Sequence, residues 1–138
     1  MFMKKSLIII LLSLVFYSCG RNEQSADHPD ISQANKIKFD FKSDFDASGK
    51  MTITSTEIND LKRVSAIKNI ISYDPFTYVY CASTGSMSFY KDSTLIVTMV
   101  FNTLPDLKHI AFNYNGKLIA MSLSGENAKL LESFKNKF

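Results

Sequence analysis

Residues 86–101 read SMSFYKDSTLIVTMVF, and this stretch decides the architecture. Its first five and last eight residues are rich in β-branched, aromatic and methionine side chains, which suit a pleated, half-buried surface. Only Lys91, Asp92 and Ser93 separate the two segments. A parallel crossover needs a dozen or more residues, so a link this short makes them antiparallel neighbours. The portion LIVTMVF is apolar on nearly both faces, which predicts a central strand covered on two sides.

Downstream, residues 109–114 and 117–123 read as two more strands. Asn115-Gly116 between them is the strongest short hairpin signal, because a type I′ turn needs positive φ at both positions. A helix is expected from Ser124, with Leu130, Leu131, Phe134 and Phe138 as its buried stripe. Upstream, FTYVYC at residues 76–81 reads as a further strand, joined to the first segment by ASTG. Pro75 requires any preceding helix to stop. Before it, Ile58, Leu61, Val64, Ile67 and Ile71 step by three or four, and Thr54 with Glu57 fits a capping box. KIKFDFK at residues 36–42 alternates cleanly, and KMTIT at residues 50–54 is its expected partner across the turn DFDASG. The expected order is ββαβββββα: an α+β domain with a curved antiparallel sheet of about seven strands and two helices. By analogy that order suits a cystatin-like or NTF2-like wrap, or a pleckstrin-homology-like barrel with an added helix. No motif accompanies these analogies, so they carry no function.

The first twenty residues, MFMKKSLIIILLSLVFYSCG, have another character. Lys4 and Lys5 precede an eleven-residue apolar run, Leu7 to Tyr17, interrupted only by Ser13. A spanning helix needs ~20 apolar residues, whereas a secretory h-region needs ~7–15. Ser18-Cys19 at the end of the run resembles the lipobox of bacterial lipoprotein precursors. The resemblance implies cleavage before Cys19, a diacylglycerol thioether on its sulfur, and a chain anchored in the bacterial cell envelope. Gly20 in place of Asp favours the outer membrane. If Cys19 is acylated, it cannot pair with Cys81, the one other cysteine, which reads as a small buried hydrophobe. The expected division is therefore a signal peptide over residues 1–18, a flexible polar tether over 19–35, and one domain over 36–138. A tether of that length reaches ~20–25 Å.

Loss of residues 1–18 removes two of the 16 basic residues and leaves 14 against 13 acidic. A net charge of +1 gives no electrostatic case for nucleic acid. Asp44, Asp46 and Ser48, followed by Gly49, resemble the opening of an EF-hand calcium loop, but Ser55 stands where a bidentate Glu is needed. A polar hairpin turn is the simpler reading. His28 in the tether and His109 at a strand end are both expected to face water. The spacing shows no assembled nucleophile, base and orienting group. Phe76, Tyr78, Tyr80 and Tyr90 form the candidate binding surface, since rigid amphipathic rings make good contacts. The expectation is a non-enzymatic interaction module without a cofactor, with a membrane through its lipid anchor and a protein or peptide as partners. A small hydrolase or metal-dependent enzyme is the alternative.

Overall fold

The computed structural model describes residues 28–74, 76–77 and 82–135. Alternation carries the first strand: β1 (Lys36–Lys42) buries Ile37, Phe39 and Phe41 and turns its lysines outward. β2 (Ile53–Ile58) follows, then the helix α1 (Leu61–Lys68), β3 (Gly85–Lys91), β4 (Thr94–Asn102), β5 (His109–Tyr114), β6 (Lys117–Ser122) and the helix α2 (Gly125–Glu132). The six strands form one antiparallel sheet in the order β2-β1-β3-β4-β5-β6. The α+β class is as expected, and β3 and β4 are the two central strands. The cross-strand rows Phe39–Met87–Met99 and Phe41–Gly85–Phe101–Ile110–Met121 define the inner face. Val64 and Ile67 of α1, Ala128 and Leu131 of α2, and Phe134 join those side chains in one buried cluster.

Local chemistry explains the boundaries. Asn115 (φ 49°) and Gly116 (φ 74°) make the two-residue turn between β5 and β6. Ser124 caps α2 by accepting a hydrogen bond from Asn127 N at 3.1 Å. Of the stripe expected there, Leu131 and Phe134 are buried, Leu130 is half-buried, and Phe138 lies outside the described residues.

Four expectations change. The sheet has six strands among the described residues, not about seven. Of the expected strand over 76–81, residues 78–81 lie outside the described residues, and Phe76 and Thr77 are not in a strand. Even so, Phe76 N donates to Ala120 O (3.2 Å) and Ser122 N to Asp74 O (3.0 Å), an antiparallel contact along the outer edge of β6. The central strand β4 is covered on its inner face, while Thr98 on the other face is exposed.

The capping box is also displaced. Thr54 and Glu57 lie within β2, where Thr54, Thr56 and Ile58 stand opposite Phe41, Phe39 and Ile37. The ladder and the burial of Thr56 and Ile58 outweigh a local helix signal. The helix starts later: Asp60 accepts from Arg63 N at 2.9 Å, and Leu61 remains exposed.

Finally, the tether does not extend to residue 35. Pro29, Ile31 and Ala34 are buried. Lys68 Nζ donates to Ser32 O (2.8 Å) and Ala34 O (3.3 Å). Asn35 exchanges hydrogen bonds with Asp92: its Nδ2 donates to Oδ1 (2.7 Å), and its Oδ1 accepts from Asp92 N (2.8 Å). Three apolar side chains suffice to dock a polar stretch when a lysine and a turn satisfy its backbone.

Candidate functional site

Of the predicted aromatic surface, the described residues hold Phe76 and Tyr90, and these two lie on different parts of the sheet. Phe76 is half-buried, with its ring stacked on His109 at 5.2 Å and 7°. Tyr90 lies on β3 under Lys36, whose Nζ is 5.0 Å from the ring centroid. The backbone of Phe76 runs along the outer edge of β6, four strand spacings from β3 and so ~19 Å away. Tyr78, Tyr80, Cys81 and Cys19 lie outside the described residues.

His109 is corrected by the structure. It is 1% exposed, not water-facing. Its Nδ1 lies 2.6 Å from Leu107 O; a carbonyl only accepts, so Nδ1 carries the hydrogen. Asn102, opposite it on β4, is fully buried. Its Nδ2 donates to Ala82 O at 2.6 Å and its Oδ1 accepts from Leu104 N at 2.9 Å. These groups hold the chain on either side of the strand ends.

The Asp44–Asp46–Ser48 loop is a hairpin turn. Asp46 Oδ1 accepts from Ser48 N (2.8 Å), Ser48 Oγ (2.5 Å) and Lys50 N (3.0 Å). Gly49 takes φ 76°, and Gly49 N closes the turn onto Asp46 O. Among the described residues no three His, Cys, Asp or Glu side chains converge on a metal-sized space. The Ser48 hydroxyl, then the backbone N–H groups of Lys50 and Ser48, hold the Asp46 carboxyl below the usual carboxylate range. Lowering the pH past the ordinary carboxylate value protonates the unfolded chain first. The carboxylate's contribution to the turn is therefore present above that value and drains away as the pH falls through the depressed folded pKa. A carbon-detected NMR titration should show Asp46 titrating below the usual carboxylate range, and Ser48→Ala should move it back up.

A second site, which no sequence pattern signals, stands out at the end of β1. The hairpin loop places Phe45 (73% exposed) and Met51 (37%) beside Leu104 (51%). They line an open groove of about 240 Å³ with Ala82, Ser83 and Thr84. Lys42 Nζ donates to Ser83 Oγ at 2.6 Å and fixes the groove wall. Thr84 and Thr103 share a hydroxyl contact of 3.1 Å, and Thr103 Oγ1 donates to Glu132 Oε1 at 2.5 Å, which ties that wall to α2. The result is an exposed apolar rim over a hydrogen-bonded wall, with a single lysine in its lining.

The opposite end of β1, ~20 Å away, receives the N-terminal segment. There His28, though exposed as expected, stacks on Tyr73 at 3.9 Å and 16°. An open groove of about 480 Å³ runs past both rings and Lys68. Tyr73 holds φ 56°, an unusual value for a bulky residue. Its hydroxyl donates to Pro29 O at 3.4 Å, and burial, then the nearby Asp30 charge, push its pKa up.

No protein-family model, curated protein or solved structure matches the chain. No helix among the described residues is long and apolar enough to cross a membrane.

Proposed function

We propose that the chain is a bacterial envelope lipoprotein, anchored through acyl chains on Cys19, whose domain is a non-enzymatic binding module for a protein or peptide. The rim carries the binding reading. Phe45, Met51 and Leu104 expose large apolar surface around one groove, and clustered exposure of that kind marks interaction surfaces. The anchor reading rests on Lys4, Lys5, the apolar run and Ser18-Cys19. One acyl chain holds a protein marginally and two or three hold it firmly. The outer membrane is the favoured location, on Gly20.

Geometry supports a division of labour. The described residues begin at His28, and a flexible tether from Cys19 to that point would have a mean reach of ~15–18 Å. The tether enters at the Tyr73 end, and the rim lies at the far end of β1. A partner is therefore met on the side away from the anchor.

Two measurements test this reading. Cys19→Ala should release the full-length protein from membranes without detergent; a wild-type chain that is already water-soluble removes the anchor. A photo-crosslinking residue at position 45 in intact cells should give discrete adducts that Met51→Ser with Leu104→Ser reduces severalfold. Those surface changes should move stability by no more than ~0.5 kcal/mol each. Unchanged adducts would remove the rim.

A further inference from the structure

We infer that the outer edge of β2 pairs with the same edge of a second copy of this chain, across a two-fold axis at Ser55. This rests on the binding-module reading and deepens it by naming a partner at an edge next to the rim.

Two backbone contacts set the hydrogen-bonding parity. Lys42 N donates to Thr84 O at 3.0 Å, toward β3, and Ser43 N donates to Thr52 O at 2.9 Å, toward the β2 side. Backbone groups alternate along an antiparallel ladder. Thr54, Thr56 and Ile58 therefore bond β1, while the N–H and C=O groups of Ile53, Ser55 and Glu57 point outward. β2 is the terminal strand of the sheet, and no described strand meets those groups.

Strand edges are usually blunted by lysine, proline or a bulge. β2 reads ITSTEI and has none of these; its six-pair register with β1 is unbroken. Its only charge, Glu57, lies 3.8 Å from Lys36. Ile53, on the outer face, is 56% exposed.

The edge complements its own two-fold image. An antiparallel pairing centred on Ser55 sets Ser55 against Ser55 and Ile53 against Glu57 twice. All three outward residues are used, for about six main-chain hydrogen bonds. Ile53 gains the aliphatic stem of Glu57 as cover. Continued outward, the same register sets Lys50 of one copy opposite Asp60 of the other, and no like charges meet. A heterologous strand would satisfy the edge but has nothing here to set its register.

The test uses the full chain in bacterial membranes, with Cys81→Ala so that Cys19 is the only native cysteine. Directly paired residues in this register have Cα atoms ~5.5 Å apart, within disulfide reach, whereas Ile53 and its own image lie more than ~12 Å apart. Mild oxidation should give at least about tenfold more dimer from Ser55→Cys than from Ile53→Cys or the parent, given those distances. The double variant Ile53→Cys with Glu57→Cys should also dimerise, and adding Ser55→Pro should abolish it. Ser55 N points away from β1, so proline removes no ladder bond; an unchanged melting curve checks the fold. Equal dimer at positions 53 and 55, no dimer at either, or a disulfide adduct of the Ser55→Cys variant with a different protein overturns the proposal. Detergent extraction and the position-45 adducts report the anchor and the rim separately, so either can fail while this edge stands.

Discussion

Phe39→Ala is expected to lower the unfolding free energy by about 3–5 kcal/mol, the usual range for a buried phenylalanine. Phe39 has no exposed surface and lies between Thr56 of β2 and Met87 of β3. Its ring stacks on Phe41 (5.5 Å, 16°) and Phe134 (5.4 Å, 10°) and meets Phe101 edge-on (6.3 Å, 67°). The Phe134 contact joins the segment after α2 to the middle of the sheet, so truncation opens a cavity that two elements border. A domain of this size holds only ~5–15 kcal/mol in total, so the variant should lose a large share of its stability. Urea denaturation should show a lower midpoint with an unchanged slope. Phe39→Leu keeps most of the volume and should cost less than ~1.5 kcal/mol. A loss below ~1 kcal/mol for the alanine variant would mean that these rings are not the centre of the core.

What can be read from the sequence follows from how local each determinant is. β5 is legible to the residue and β3, β4 and β6 to within one, because alternation and the Asn115-Gly116 turn act over a few positions. The Ser124 cap is legible for the same reason. Thr54–Glu57 misleads, because the same residues satisfy a capping box or a β ladder and only the distant β1 decides between them. Pro29, Ile31 and Ala34 carry no periodic signal; Lys68, more than thirty residues away, docks them. His109 is buried by Phe76, a partner that no spacing rule connects to it. For the rim, Phe45 and Met51 are visible as apolar loop residues, but their meeting with Leu104 depends on which strand ends share one pole of the sheet.

That pole also holds the second large expected effect. Glycine in a strand is costly through its backbone freedom, so Gly85→Ala in an open position should gain ~0.5–1 kcal/mol. Gly85 is not in an open position. An added Cβ would lie 2.5 Å from Phe101 Cζ, 2.9 Å from Phe101 Cε2 and 2.8 Å from Asp40 O. The Phe101 ring cannot simply swing away, because Phe39 and Phe41 contact it edge-on at 6.3 Å and 5.8 Å. The Asp40 carbonyl belongs to the neighbouring strand, paired opposite Ser86 and Ser55. Relief therefore has to separate β1 from β3 locally or force the ring off its rotamer. Overpacking of this kind costs ~1–3 kcal/mol and outweighs the entropic gain, so the net effect is destabilisation, and Gly85→Val should be worse. Combining Gly85→Ala with Phe101→Leu should recover part of the loss, a coupling of ~0.5–3 kcal/mol in a double-mutant cycle. Thr84, next in the chain, lines the rim groove, so Gly85→Ala should also weaken the position-45 adducts more than its stability change alone explains. A stabilised Gly85→Ala variant, or strictly additive losses in the cycle, would show that the close approach of Phe101 to β3 does not hold this end of the sheet.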